Sequence, residues 1–326
     1  MIISRTPFRV SFLGGGTDLP DFYKQEDGAV TTTTIKQYMY ITVHQRFSEG
    51  IRVGYSKTED VKCLDDLKHD RARECLRLLD ITDRIEITSI ADIPASTGLG
   101  SSSSYTVGLL NALHAHLGEH VSPEKLAQEA VKIEIDILRN PIGKQDQYAA
   151  AYGGLKHIQF NRDGSVFTDI IVTTEETRRR LNAYCMMFYT GMTRSANEIL
   201  AYQSKNVRLK MEKLEDSIKL RDLARTGRDC LTKGDVEGFG RLLHEGWMIK
   251  QRLAEGITNP KIDKMYQAGR EAGAIGGKIL GAGGGGFLLL FCEPERQARV
   301  RTALEGTRQL EFEMEPQGSK IIHFND

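Results

Sequence analysis

The peptide Pro94-Ala-Ser-Thr-Gly-Leu-Gly-Ser-Ser-Ser-Ser104 constrains the fold more than any other stretch of this chain. It is a glycine turn running straight into a helical pattern over 105–117, where Val107, Leu110, Leu113 and Leu117 recur at helical spacing. Serine is a poor interior helix former and a good cap, so the helix is expected to begin among the four serines. A helix start presents unpaired backbone N–H groups and the positive end of the macrodipole. Gly98 and Gly100 let the backbone approach a ligand with no Cβ in the way. Together these features predict a polyphosphate site. Taken alone, the segment also reads as a serine-rich cap on an ordinary surface helix.

Two more glycine clusters weigh against that plainer reading. Gly14-Gly15-Gly16-Thr17-Asp18 follows a strand pattern over 8–13, and Gly281-Ala-Gly-Gly-Gly-Gly286 precedes one over 287–292. Dense glycine costs backbone entropy on folding, and close approach to a ligand is a reason to bear that cost. The P-loop pattern Gly-x-x-x-x-Gly-Lys-Ser/Thr is absent. The third cluster matches Gly-x-Gly-x-x-Gly, but it lies between two late strands and not between an early strand and a helix. That context excludes a dinucleotide fingerprint.

The carboxylates come next. In Glu134-Ile-Asp-Ile-Leu-Arg-Asn-Pro-Ile-Gly-Lys-Gln-Asp146-Gln147 one acid sits on a helix, a proline-glycine break follows, and a second acid opens another helix. Phosphoryl transfer needs a cation on the phosphates and a group that orients the attacking hydroxyl. A glutamate and a serine hydroxyl are hard oxygen ligands suited to magnesium, and a second carboxylate near the acceptor can take its proton. Two polar positions on surface helices are the equally open plain reading.

The 326 residues allow one large domain or two modest ones. Lysine plus arginine and aspartate plus glutamate both total 44, so no bulk field draws the chain to nucleic acid or an anionic membrane. No apolar run reaches a membrane span, and the amino terminus lacks signal-peptide character, so a cytoplasmic protein is expected. Cys63, Cys75, Cys185, Cys230 and Cys292 are scattered, which predicts reduced thiols. His114, His116 and His120 read as a solvated helix end, not a metal cluster. The run Arg178-Arg179-Arg180 after Glu175-Glu176 reads as a solvated face.

Strands are predicted over 2–5, 8–13, 31–34, 38–45, 51–55 and 84–89. Helices are predicted over 63–80, 105–117, 122–138 and 145–151. A strand pair follows over 155–160 and 165–172, and a soft domain boundary is placed after 160. Beyond it come a strand over 183–190 and helices over 193–225, 236–253, 260–271 and 294–304. Strands over 276–280, 287–292, 309–313 and 320–324 complete an α+β arrangement.

In these motifs the chain resembles the GHMP kinases along its whole length. The first motif is Thr6-Pro-Phe-Arg9-Val-Ser-Phe-Leu-Gly-Gly-Gly-Thr17-Asp18, the second is 94–104, the third is 281–286, and the segment from Glu134 to Asp146 is similar to a galactokinase stretch ending in Gly-x-x-Asp-Gln. The resemblance implies a mixed-sheet α/β domain of the ribosomal protein S5 domain 2 type over 1–160, a ferredoxin-like plait over 161–326, and an active site in the cleft between them. ATP and Mg2+ are the implied cofactors. Pro94, Ser96, Thr97, Gly98, Leu99, Gly100, Ser101, Ser102 and Ser103 would cradle the phosphates, and Ser102 and Glu134 would hold magnesium. Asp146 would be the catalytic carboxylate, with Arg9 near it and near the transferring phosphoryl; Lys144, if it too lies close, would add a second cation. Gly14, Gly15, Gly16, Thr17 and Asp18 would form the sugar site, closed by Gly283 and Gly284. Where galactokinases carry Glu-His-Thr-Asp, this chain has Gly15-Gly16-Thr17-Asp18, which opens space for a bulkier sugar. The implied acceptor is D-glycero-D-manno-heptose 7-phosphate, with L-fucose or galactose as alternatives, and a catalytically degenerate sugar-binding regulator as a further one. Arg194, Lys36, Arg46 and Arg52 are candidate anchors for the far phosphate. The protein is expected to act as a monomer or homodimer on a small sugar or sugar phosphate, without nucleic acid or membrane.

Overall fold

Two long antiparallel strands set the frame of the computed structural model, which describes residues 1–193 and 196–325. Ile2–Leu13 pairs with the 18-residue strand Gly28–Gln45, bringing Arg9 opposite Thr34. The sequence patterns predict two short strands in place of each. The first runs on through Pro7 because the register shifts between Pro7 and Phe8. Such an irregularity is where a strand tolerates a residue with no N–H to give.

Around this pair the larger sheet runs in the order Lys320–Phe324, Ile2–Leu13, Gly28–Gln45, Ile85–Ala91, Ile51–Gly54, Thr58–Val61. Lys156–Phe160 and Met314–Glu315 also pair with Gly28–Gln45, and Val166–Ile170 extends Lys156–Phe160. Ile51–Gly54 and Ile85–Ala91 are parallel, so the sheet is mixed. The second sheet is antiparallel, in the order Arg308–Leu310, Cys185–Tyr189, Phe287–Phe291, Gly276–Ile279. A cut at 160 does not separate the two sheets. Val166–Ile170, Met314–Glu315 and Lys320–Phe324 all belong to the first, so the chain leaves it and returns. One buried core spans both, with Phe12 packed edge-on against Phe239 at 5.3 Å between ring centres.

The helices differ from the sequence patterns in instructive places. The predicted helix over 63–80 is a short turn at Leu64–Asp66 followed by Asp70–Leu78, capped by the His69 ring accepting from Ala72 N. The predicted helix over 193–225 is two, Ala196–Leu209 and Met211–Lys233, broken at Lys210, whose backbone is extended. Pro123–Val131 begins as expected, with Ser122 accepting from Lys125 N. It then passes into a π-helical segment, Lys132–Ile137, that carries Glu134. Single-turn π segments of this kind concentrate at functional sites. The helix Ser101–His116 is capped by Gly100, not by a serine, and its serines form its first turn. Ser104 donates to Pro7 O and Ser4 to Gly108 O, pinning the helix to the strand Ile2–Leu13. All five cysteines are unpaired. Arg179 and Arg180 lie on the helix Glu175–Tyr184 and pair with Glu176 and Glu237.

Candidate active site

The end of the strand Ile2–Leu13, the loop into Ser101–His116 and the start of the helix Gln145–Tyr152 meet in a cleft of about 1270 Å³. A site for one small ligand measures roughly 300–1,000 Å³, so this space exceeds what one small ligand needs. Pro94, Ser96, Gly98, Gly100, Ser101, Ser102 and Ser103 line it, at the amino end of the serine helix. Thr97 and Leu99 do not. Thr97 is buried with its hydroxyl on Pro94 O, and Leu99 O accepts from Arg9 N at 3.0 Å. That last bond ties the strand to the second glycine loop.

The third glycine cluster closes on the second backbone to backbone. Gly98 has φ +85°, and a Cβ there would collide with Leu280 O; a Cβ on Gly281 would lie 2.7 Å from Gly98 Cα. Glycine is what this approach requires. Gly281 and Ala282 face the cleft, whereas Gly283 and Gly284 do not: Gly284 N donates to Ile257 O and Gly283 packs on the same residue.

At the floor of the cleft Arg9 grips Asp146 with both arms. Arg9 Nε and Nη2 donate to the two carboxylate oxygens at 2.7 Å each, and Nη1 donates to Gly98 O at 2.5 Å. Charge-assisted, bidentate geometry fixes the carboxylate against the glycine loop that carries Gly98. Lys144 is not its neighbour: its ammonium donates to Gly164 O and covers the Tyr23 ring. Asp18 lies beside this pair, buried, its oxygens accepting from Gly16 N and Gln145 N. Burial first, then the Asp146 charge, raise its pKa above the usual aspartate value. A Cβ on Gly143 would fall on Asp18 Oδ2, so this glycine makes room for the acid. Within the first glycine cluster only Gly16 and Asp18 line the cleft. Thr17 bonds both ways with Ala29, Gly14 packs against Ala29 O, and Gly15 abuts Ser11 and Lys250.

Glu134 is completely buried beside the serine helix. Its carboxylate accepts from Ser103 Oγ at 2.7 Å, Gln147 Nε2 at 2.6 Å, Arg71 Nε at 2.9 Å and Thr106 Oγ1 at 3.2 Å. The serine that meets it is therefore Ser103, while Ser102 is exposed in the cleft. Hydroxyl and carboxylate oxygens are the right donors for magnesium. Glu134 is already filled by four donors and does not line the cleft, so the set would take that ion only with Arg71, which does line it, off the carboxylate. Among the described residues no group of three or more histidine, cysteine or acidic side chains could hold a metal ion by itself. His114 is buried between Glu119 and Glu129, at 2.7 Å from each.

Sequence reasoning missed several cleft residues. Tyr55, His69 and Tyr105 form an aromatic cluster in the cleft lining, with ring centres 4.7 and 4.8 Å apart. Lys250, the last residue of the helix Val236–Lys250, also lines the cleft. Its signal was present: Leu243, Gly246, Trp247 and Lys250 share one helical face, and the first three are apolar. Of the proposed phosphate anchors, Arg194 lies outside the described residues. Lys36, Arg46 and Arg52 do not line the cleft and pair with Glu313, Asp60 and Glu86. No helix among the described residues is long and apolar enough to cross a membrane.

Known proteins match the chain in both of its halves. Residues 65–154 match the GHMP kinases N terminal domain and residues 228–307 match GHMP kinases C terminal. The chain is 28% identical to the D-glycero-alpha-D-manno-heptose 7-phosphate kinase of Campylobacter jejuni over 316 residues, 93% of each chain. It is 24% identical to the L-fucokinase/L-fucose-1-P guanylyltransferase of Bacteroides fragilis over 93% of this chain and 36% of that one. The fold superimposes on the crystal structure of a D-glycero-D-manno-heptose 1-phosphate kinase from Bacteroides thetaiotaomicron with TM-score 0.82 and 24% identity over the full length of both. With both family halves matched in order and a sugar kinase aligned across nearly its whole length, the chain belongs to the GHMP kinases, which take their phosphoryl group from ATP.

Proposed function

We propose that this chain is a magnesium-dependent kinase that transfers the γ-phosphoryl of ATP to the anomeric hydroxyl of D-glycero-D-manno-heptose 7-phosphate. The product is the 1,7-bisphosphate, on the way to nucleotide-activated heptose for surface polysaccharide. It acts in the cytoplasm, as a monomer or homodimer. The observation that carries the reading is the Arg9–Asp146 pair, held between the phosphate loop and buried Asp18. The Campylobacter relative adds the sugar class.

The serine-helix end and the loop 94–103 hold the triphosphate, and the aromatic cluster of Tyr55, His69 and Tyr105 takes the base. Asp18 accepts from sugar hydroxyls. Asp146 orients the anomeric hydroxyl and takes its proton late, as the oxygen bonds to the γ-phosphorus and the bond to the ADP oxygen breaks. Arg9 keeps that carboxylate in place and faces the transferring group. A loose transition state needs little beyond such alignment and charge compensation. Ser102 and, once freed from Arg71, Glu134 would hold magnesium with the nucleotide, and that ion would neutralise further phosphate charge.

An ADP-release assay over a panel of sugars and sugar phosphates tests the reading. Heptose 7-phosphate is expected to give the highest kcat/KM, with product phosphorylated at the anomeric position. Preference for L-fucose, the acceptor suggested by the Bacteroides fragilis relative, would replace the substrate and keep the reaction. ATP binding with no turnover on any acceptor would favour a degenerate regulator.

A further inference from the structure

Lys250 is a buried cation without a carboxylate within ion-pair distance among the described residues. Its Nζ donates to Gly15 O at 3.4 Å and Gly281 O at 3.2 Å, both long contacts. An ammonium has three donors, so one is unspent, and the side chain lines the cleft. Leaving a buried charge so loosely paired is expensive unless a ligand completes it. The two carbonyls belong to the first and third glycine loops, so Lys250 sits where the acceptor side meets the phosphate side. Across the turn at Gly16 the amide of Gln203 is also fully buried, and neither its nitrogen nor its oxygen has a partner among the described residues. This corner holds more polar capacity than the protein itself uses.

We propose that Lys250 is an acceptor-binding residue, its free N–H donating to an oxygen of the sugar seated between Asp18 and Asp146. The inference rests on the kinase reading above and adds a residue that recognises the acceptor. Lys278, the other buried lysine nearby, is ruled out for this role: it donates to Ser11 O and Phe12 O at 2.9 and 3.0 Å and does not line the cleft. The charged groups around Lys250 are Asp18 from the first glycine loop, Arg9 from its strand, Asp146 from the helix Gln145–Tyr152, and Lys278 from the strand Gly276–Ile279. Burial is the main cause that brings its ammonium down to about 8, against partial support from Asp18 and Asp146. The charged donor is therefore present at neutral pH and is lost as pH rises through that value.

The test uses the full chain with ATP and two acceptor probes, heptose 7-phosphate and L-fucose, measuring KM for sugar, KM for ATP and kcat between pH 6.5 and 9.5. Removing a donor to a ligand from a charged group costs roughly ten- to a hundredfold in binding. Lys250→Met is expected to raise the sugar KM by about that factor while the ATP KM stays within about twofold. Wild-type kcat/KM for sugar is expected to fall above about pH 8. Lys250→Arg, which does not deprotonate in this range, is expected to move that limb upward by more than a unit. A Lys250→Met variant with an unchanged sugar KM, or with both KM values raised alike, overturns the proposal. So does an alkaline limb that stays in place in Lys250→Arg; if Lys250→Met does not fold, that pH profile decides alone. Wild-type inactivity on both probes overturns the acceptor assignment and this inference with it, a result distinct from active wild type with an indifferent Lys250.

Discussion

Asp146→Asn keeps the side chain's shape and removes its charge, so it isolates what the carboxylate does. In the structure each oxygen accepts one N–H of Arg9 at 2.7 Å. An asparagine amide can accept one of these donors, and its NH2 then faces the other, donor against donor. Arg9, with its side chain 5% exposed, would keep Gly98 O and a single bond to the amide oxygen. Losing a charge-assisted bond beside a buried cation costs about 1.5–3 kcal/mol. Asp146 is 24% exposed, so water compensates in part and the lower end is the better figure. The variant should therefore fold, with a transition temperature lowered by several degrees. Turnover is another matter: losing the group that orients the hydroxyl and takes its proton costs about 10²–10⁴ in kcat. The phosphate loop is untouched, so the ATP KM should stay within about threefold, well under the roughly tenfold that one hydrogen bond to a charged group is worth. ADP release at saturating ATP and sugar, with thermal unfolding alongside, reads all three quantities. A kcat within about tenfold of wild type would refute the assignment, since it lies below the whole range expected for a proton acceptor. Arg9→Lys supplies the second arm, keeping the charge and losing the fork. In a double-mutant cycle the two losses should fall well short of adding; simple additivity would show that the pair does not act as a unit.

Gly98→Ala should destabilise the protein by about 1–2 kcal/mol from its left-handed backbone alone, and more from the contact with Leu280 O; it should also raise the ATP KM, both read by denaturant titration and kinetics. Gly143→Ala would push on Asp18 and should raise the sugar KM while sparing the ATP KM, and the reverse pattern would contradict Asp18 as a sugar ligand. His114 is held above its ordinary pKa, first by its hydrogen bond to Glu129 and then, against burial, by Glu119. Its contribution to stability is complete below about pH 6.5, the unfolded value, and is lost as pH rises through the higher folded value. The denaturant midpoint of wild type should fall over that window, and His114→Gln should flatten the fall.

The parts of this site that were legible in sequence are those where local physics leaves a local mark. Three glycine clusters announce close backbone approach, and Gly98, packed on Gly281, shows the reason. Charged residues on apolar helix faces leave a mark as well. Leu126, Ala127, Ala130 and Ile133 share the face that carries Glu134, and Leu243, Gly246 and Trp247 share the one that carries Lys250. A charge on such a face is costly unless paired, so it flags either a buried ion pair or a site. Glu134 is the first kind as the structure stands, gripped by Arg71 and three neutral donors. Lys250 has only two carbonyls among the described residues, which sets it apart. What no local pattern carries is which serine meets Glu134. The π-helical segment shifts hydrogen bonding by one residue, with Leu138 N reaching Ile133 O, and Ser103 rather than Ser102 reaches the carboxylate. The Arg9–Asp146 pair, 137 positions apart in sequence, likewise depends on strand register and on the bond from Arg9 N to Leu99 O. Residue type is thus written in the sequence, while partnership is written in the sheet. Charges on faces that ought to be apolar, as at Glu134 and Lys250, are where the sequence shows the site most directly.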